Sequence, residues 1–214
     1  MVRKSGERLS SLIILRKIIY LISPKKFYKS FYQDLESVLN SKRVKYFQLR
    51  FKNEKKYRII RISKKIKKIT QKHKVKFIIN DKIDIAKIVN ADGCHLGQKD
   101  GSILEAKKYF KRKILGITCH GSKSLAKKAI KDKASYLAFG SFNQSKLKPK
   151  ASKAKINILK WAKKNVKKPI VAIGGIDNLN YARLIKNGAN YIAISSYIWD
   201  NPKLKPDAAI REFK

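Results

Sequence analysis

The chain contains little cysteine and no long apolar run. Only two cysteines occur among its 214 residues, Cys94 and Cys119, and they do not form a CxxC motif. This excludes a disulfide scaffold and favours a reducing, cytoplasmic environment. No uninterrupted apolar stretch approaches the roughly 18 residues of a membrane-spanning helix, so no membrane partner is expected. Arg16 and Lys17 interrupt the first apolar stretch, and we interpret residues 1–17 as an N-terminal extension that is not a secretory signal.

Carboxylates are also scarce relative to cations. The chain has 14 Asp and Glu against 53 Lys and Arg, which gives a formal net charge of +39. Clustered cations of this kind can neutralise nucleic-acid phosphates. Here, however, lysines occur in nearly every block of ten residues, between apolar positions. We therefore expect a lysine-rich surface and no nucleic-acid partner, with electrostatic steering of anionic substrates as the alternative.

Eight short apolar runs punctuate the chain. They are nearly continuous in Ile, Val, Leu, Phe and Tyr, which is typical of parallel strands buried on both faces. The runs cover residues 18–23, 44–49, 77–79, 93–96, 114–118, 136–139, 170–173 and 191–195.

Amphipathic stretches separate these runs. Three of them place apolar residues on one helical face: Ile59, Ile62, Ile66 and Ile69; Leu125, Ala126, Ala129 and Ile130; and Leu179, Ala182 and Ile185. The alternation predicts one α/β domain over residues 18–214, a single (βα)8 TIM barrel. A doubly wound open sheet is the alternative, but the first strand-to-helix turn lacks the G-x-G-x-x-G of its dinucleotide-binding version.

Polar residues follow most of the apolar runs, and a barrel would gather them at its C-terminal mouth. Gln48, Arg50 and Lys52 are spaced by two, so on an extended strand they would project from one face and form an anion-binding platform. A solvated strand end in a lysine-rich protein is the alternative interpretation.

Two aspartates follow neighbouring runs in the middle of the chain. Asn80-Asp81 ends the third run, and Asp100 follows the fourth run after His95. Mg²⁺ usually takes one or two carboxylates together with substrate phosphate oxygens. The joint placement predicts Mg²⁺ held by Asp81 and Asp100, although an Asn-Asp pair is also a common turn.

Glycines and hydroxyl groups follow the later runs. Gly174-Gly175 follows the seventh run and Ser195 ends the eighth, which are the positions where barrels commonly hold a phosphate. Thr118 and His120 end the fifth run. His120 could be an acid or base, a phosphate ligand or a hydrogen-bonded rim residue, and the sequence leaves the three open.

Seven motifs occur in a fixed order along the chain: Tyr20-Leu21-Ile22-Ser23, Gln48-Leu49-Arg50-Phe51-Lys52, Ile79-Asn80-Asp81, the block Ala91-Asp92-Gly93-Cys94-His95-Leu96-Gly97-Gln98-Lys99-Asp100, Gly116-Ile117-Thr118, Val171-Ala172-Ile173-Gly174-Gly175-Ile176 and Ile194-Ser195. In that order and spacing they resemble the thiamine-phosphate synthase and thiazole-tautomerase superfamily over about residues 18–200. The second and fourth motifs are specific, whereas the last two are generic among phosphate-binding barrels.

The resemblance implies a reaction of thiamine biosynthesis. A pyrimidine-methyl pyrophosphate ionises, pyrophosphate leaves, and the nitrogen of a thiazole phosphate attacks the methylene carbon to give thiamine phosphate. The resemblance also implies roles for individual residues. Catalytic roles fall to Arg50, Lys52, Thr118 and Lys148, Mg²⁺ binding to Asp81 and Asp100, and substrate contacts to Gln48, Asn80, Ser145, Gly174, Gly175, Ile194 and Ser195. From their positions after the fourth and fifth runs we add His95 and His120 as candidate substrate contacts.

Some positions depart from the family pattern. Phe51 stands where an acidic residue is usual, and Thr118 replaces serine but keeps a hydroxyl group. In the loop after the sixth run, Leu147 stands where the family has a second threonine beside the pyrophosphate. This last change places the rate of turnover in question.

Two other functions remain open at this point. A metal-independent thiazole tautomerase would need an acid or base such as His120, but it has no use for the paired carboxylates or for Arg50 and Lys52. A non-catalytic binder of thiamine precursors would retain the anion sites without turnover. The expected partners are small phosphorylated substrates, and the sequence leaves a homo-oligomer open.

Overall fold

A computed structural model describes residues 17–143 and 153–214 of the chain. Its strands are all parallel and close into one barrel in sequence order, with β8 pairing back onto β1. The strands are β1 (Ile19–Ile22), β2 (Val44–Leu49), β3 (Lys76–Asn80), β4 (Gly93–Leu96), β5 (Ile114–His120), β6 (Tyr136–Gly140), β7 (Ile170–Ile173) and β8 (Tyr191–Ile194).

Helices alternate with the strands and form the outer layer. In the described residues they are α1 (Phe31–Asn40), α2 (Lys56–Lys72), α3 (Ile83–Ile88), α4 (Ile103–Tyr109), α5 (Lys123–Lys131), α6 (Asn157–Asn165), α7 (Tyr181–Lys186), α8 (Ser196–Trp199) and α9 (Pro206–Arg211). The predicted (βα)8 barrel is therefore confirmed, and the open sheet is excluded.

Serine caps fix two of the helix starts. The Ser102 hydroxyl accepts from the Glu105 amide while the Glu105 carboxylate accepts from the Ser102 amide, which is a capping box for α4. The Ser122 hydroxyl accepts from the Leu125 amide at the start of α5. Among residues 17–143 and 153–214, none of the helices combines the length and apolarity needed to cross a bilayer.

The core has two layers because successive side chains of a strand point to opposite faces. The larger layer fills the space between barrel and helices, with Leu21, Phe47 and Phe77 among its fully buried members. The smaller layer lies inside the barrel. It is unusually rich in tyrosine and consists of Tyr20, Ile22, Tyr46, Ile78, Tyr136, Ala138, Val171 and Ala193.

Three sequence-based expectations need correction. First, β2 ends at Leu49, so Arg50 and Lys52 lie in the following loop and their spacing of two does not place them on one strand face. Second, Leu179 is 88% exposed and precedes α7, whose buried residue is Leu184. Third, β5 continues past Thr118 to His120 through an irregularity in its pairing with β6.

Candidate active site

A chain of hydrogen bonds crosses the inside of the barrel. The Gln48 amide donates to the Tyr20 hydroxyl at 3.1 Å, and that hydroxyl lies 2.7 Å from the Tyr136 hydroxyl. His95 Nδ1 lies 2.9 Å from the same Tyr136 oxygen, and His95 Nε2 lies 2.9 Å from Thr118 Oγ1. These hydrogen bonds therefore connect residues of five strands. They hold three candidate site residues, Gln48, His95 and Thr118, in one network.

Burial keeps the two tyrosines of this network neutral. Desolvation raises the pKa of both the Tyr20 and the Tyr136 hydroxyl above the usual value for tyrosine. Each hydroxyl therefore retains its proton and can both donate and accept, which is what a chain of polar groups in a dry interior requires. Sequence reasoning had not singled out either tyrosine.

The Tyr136 hydroxyl contacts both Tyr20 and His95, and its loss should therefore destabilise the fold. We expect Tyr136→Phe to lower the unfolding free energy by about 1–3 kcal/mol, since it deprives buried polar partners of a hydrogen bond. For a domain of this size that corresponds to a melting temperature about 2–12 °C lower, measured by circular dichroism. The control is Tyr109→Phe, because Tyr109 is 66% exposed. Equal melting temperatures for the two variants would contradict the network.

Two carboxylates face each other at the ends of β3 and β4. A Cβ atom at Gly97 would lie 2.3 Å from Asp100 Oδ2 and 4.0 Å from Asp81 Oδ1, so both groups lie over the Gly97 backbone. Asp81 itself has a left-handed backbone (φ 63°), a conformation that Asp and Asn tolerate better than most residues. The Asp81 amide donates to the His95 carbonyl at 2.8 Å, which fixes the turn.

The electrostatics of this pair suit a cation. Burial, followed by the neighbouring charge of Asp100, raises the pKa of Asp81, while Lys52 lowers it. Lys52 Nζ lies 4.0 Å from Asp81 Oδ2. In the described part of the chain, no group of three or more His, Cys, Asp or Glu side chains is placed to hold a metal. Two carboxylates fit Mg²⁺ when phosphate oxygens and water complete its coordination.

Arg50 and Asn80 both precede this pair of carboxylates in chain order. The Arg50 amide donates to Ser23 Oγ at 3.0 Å, which ties the loop after β2 to the end of β1. Asn80 is buried at the end of β3, on the inward side of the strand. The loop residues Arg50 and Lys52 thus reach the same end of the barrel as Asn80 and Asp81.

The glycines after β7 lie on the other side of the mouth. Gly174 has φ 108°, and a Cβ atom there would lie 2.0 Å from Ser141 Oγ, so no other residue fits. Gly175 also has a positive φ, and its carbonyl accepts from the Asn180 amide side chain at 2.9 Å. In an eight-stranded barrel β7 is diametrically opposite β3, so the glycines and the carboxylates face each other across the opening.

Residues after β8 complete that side of the mouth. Ile194 is the buried last residue of β8, and Ser195 directly precedes the short helix α8. The Ser195 hydroxyl donates to the Ser23 carbonyl at 3.0 Å. His120 is exposed in a left-handed conformation (φ 50°) at the end of β5, on the rim of the barrel. The two remaining candidates, Ser145 and Lys148, lie outside the described residues, as does Leu147.

The cysteines are not part of this constellation. Cys94 and Cys119 are both free and fully buried in the outer core layer. Burial raises the pKa of Cys119 to about 12, so its thiol carries no useful nucleophilic charge at neutral pH.

The chain folds as a (βα)8 barrel whose mouth has cations and paired carboxylates on one side and a glycine-rich segment on the other. A family model described as thiamine monophosphate synthase matches residues 19–198. The chain belongs to that family.

Individual relatives agree with this assignment. The chain is 54% identical over 202 residues to a thiamine-phosphate synthase of Pelagibacter ubique (strain HTCC1062), and the match covers 94% of this chain and 98% of that protein. It is 38% identical to a thiamine-phosphate synthase of Erythrobacter litoralis (strain HTCC2594), over 91% of this chain and 92% of that protein. The solved thiamine phosphate pyrophosphorylase from Pyrococcus furiosus superposes with a TM-score of 0.83 and 27% identity, over 93% of this chain and 94% of that one.

Proposed function

We propose that the mouth of this barrel joins a pyrimidine-methyl pyrophosphate to hydroxyethylthiazole phosphate, giving thiamine phosphate and pyrophosphate. The observation that carries the proposal is that two groups of polar residues face each other across the mouth, and we assign these groups as two anion sites. Lys52, Asp81 and Asp100 lie at the ends of β2 to β4, and Gly174, Gly175 and Ser195 lie after β7 and β8. Two separate phosphorylated substrates need two such sites.

The leaving group would bind on the cationic side. As the bond to the methylene carbon breaks, negative charge grows on the pyrophosphate, and fixed cations stabilise that charge without further reorganisation. Arg50 and Lys52 are the cations, and Asn80 and Gln48 hold the pyrimidine in the inward-facing part of the mouth. Mg²⁺ held by Asp81 and Asp100 would supply further neutralisation of the pyrophosphate oxygens.

The nucleophile would bind on the opposite side. Gly174 and Gly175 let the backbone approach a phosphate closely, and Ser195 lies beside them directly after β8. The thiazole ring then points toward the centre of the mouth, where its nitrogen meets the methylene carbon. His95 and Thr118 lie at the inner end of that space, joined to the tyrosine network, and hold its polar wall in place.

The remaining assignments follow from the same proposal. His120 contacts substrate from the rim, and Ser145 and Lys148, which follow β6 in the sequence, contact the pyrophosphate. The free, buried thiols of Cys94 and Cys119 support a cytoplasmic enzyme.

The direct test is incubation of the purified protein with both phosphorylated precursors and Mg²⁺. We expect thiamine phosphate and pyrophosphate to form in equal amounts, detected by chromatography. Isomerisation of a thiazole phosphate without pyrophosphate release would instead indicate a tautomerase. Binding of both precursors with no product would indicate a binder, and either result would overturn the proposal.

A further inference from the structure

Ser23 lies between the two anion sites and contacts a residue of each. It is 3% exposed and directly follows β1, which pairs with β2 on one side and with β8 on the other. Its amide donates to the Gln48 carbonyl at 2.9 Å, as the parallel ladder between β1 and β2 requires. The next two contacts of Ser23 depart from that ladder.

The regular ladder would have the Arg50 amide donate to the Ser23 carbonyl. In the structure the Arg50 amide donates to the Ser23 hydroxyl at 3.0 Å instead. The Ser23 carbonyl accepts from the Ser195 hydroxyl, also at 3.0 Å. The side chain of Ser23 therefore takes over one ladder bond, and its carbonyl is left to orient Ser195.

We propose that Ser23 is a positioning residue. Its hydroxyl sets the backbone of Arg50 toward the pyrophosphate, and its carbonyl, by accepting from the Ser195 hydroxyl, holds residue Ser195 in place beside the thiazole phosphate. This inference rests on the proposed function of the mouth. It assigns different atoms of one residue to different substrates, so a change of side chain affects only one of them directly.

The chemistry of the two contacts gives a distinctive expectation. Ser23→Ala removes the acceptor of the Arg50 amide but keeps the carbonyl that accepts from Ser195. The KM for the pyrimidine pyrophosphate should rise about 3- to 10-fold, the scale of one hydrogen bond, because Arg50 is no longer held in place. The KM for the thiazole phosphate should change less than about twofold. Ser23→Thr keeps the hydroxyl group and should restore the wild-type KM.

Ser135 provides a matched control at the opposite end of the barrel. Its hydroxyl accepts from the Leu115 amide at 3.0 Å, the same type of bond between neighbouring strands at the same distance. Ser135→Ala should lower the melting temperature about as much as Ser23→Ala but leave both KM values unchanged. A general loss of stability would therefore be distinguished from a loss of positioning.

A second measurement separates this inference from the proposed reaction. Binding of inorganic pyrophosphate in the presence of Mg²⁺, followed by calorimetry, should weaken about 3- to 10-fold in Ser23→Ala and not in Ser135→Ala. If the wild-type protein forms no thiamine phosphate, the proposed function fails while this comparison still tests Ser23.

Three results would overturn the inference: equal pyrophosphate binding in wild type and Ser23→Ala, an equal rise of both KM values, or failure of Ser23→Thr to restore the first KM. Should Ser23→Ala not fold, Ser23→Cys is measured in its place. Its thiol is a weaker acceptor of similar size, so an unchanged affinity for pyrophosphate in that variant would equally overturn the inference.

Discussion

Lys52→Ala should turn over roughly 10²–10³ times more slowly than the wild type, the scale of removing one preorganised charge-stabilising group. Lys52 Nζ lies 4.0 Å from Asp81 Oδ2, at the side of the mouth where the pyrophosphate is proposed to depart. The effect should appear mainly in kcat, because the charge that Lys52 neutralises grows as the bond breaks. Steady-state kinetics with both substrates measures it.

Lys56 offers a matched control for this variant. It begins α2 and pairs with Asp84 at 2.5 Å, and its side chain is 57% exposed against 52% for Lys52. Lys56→Ala removes the same charge from a neighbouring position and should leave kcat within about twofold of the wild type. Both lysine side chains are more than half exposed, so neither variant should lose more than about 1 kcal/mol of stability. Equal kinetic constants for the two variants would show that Lys52 contributes only to the long-range electrostatic field of the protein and does not contact the pyrophosphate.

The sequence predicted the barrel well because every strand is buried on both faces. Continuous apolar runs mark such strands directly, and the observed strands differ from the predicted runs mainly at their ends. The ends are harder to predict because hydrogen bonding, and not hydrophobicity, determines where a strand stops. Arg50 shows this, since its amide bonds to the Ser23 hydroxyl where β2 would otherwise continue. Leu179 shows a different error. It was expected on the buried face of a helix because it is apolar, but its side chain is exposed.

Part of the candidate site could also be predicted from the order of the strands. Strand ends in a barrel meet at one mouth, so Asp81 and Asp100 could be placed together from the order of the runs alone. The tyrosine network could not be placed in this way, because Tyr20 and Tyr136 are 116 residues apart and meet only when the barrel closes. Each lies in an apolar run where it resembles an ordinary core residue. A polar group at an inward position of such a run is the only signal that the sequence offered.

The paired carboxylates should make activity fully dependent on a divalent cation. EDTA should abolish thiamine phosphate formation, and Asp81→Asn or Asp100→Asn should raise the Mg²⁺ concentration needed for half-maximal activity. Asn is a suitable substitution at position 81 because it tolerates the left-handed backbone there. The control is Asp92→Asn, since the Asp92 carboxylate accepts from the Phe77 amide at 2.9 Å and contacts Lys76. That variant should be less stable and keep the wild-type Mg²⁺ requirement.

Asp81 and Asp100 should destabilise the folded protein when the cation is removed. The pKa of Asp81 is raised in the folded protein by burial and by Asp100, so the folded state binds a proton more tightly than the unfolded chain. Stability in EDTA should therefore fall as the pH rises from about 3.9, the value of an unfolded aspartate, through the raised pKa. Above that pKa the charged Asp81 destabilises the folded state fully, and Asp81→Asn should melt at a higher temperature than the wild type at pH 7.5. Mg²⁺ should reverse this order, because the wild type binds the cation more tightly and therefore gains more stability from it. A wild type that melts above Asp81→Asn in EDTA would show that the two carboxylates do not oppose each other, and the assignment of Asp81 and Asp100 as a Mg²⁺ site would lose its physical basis.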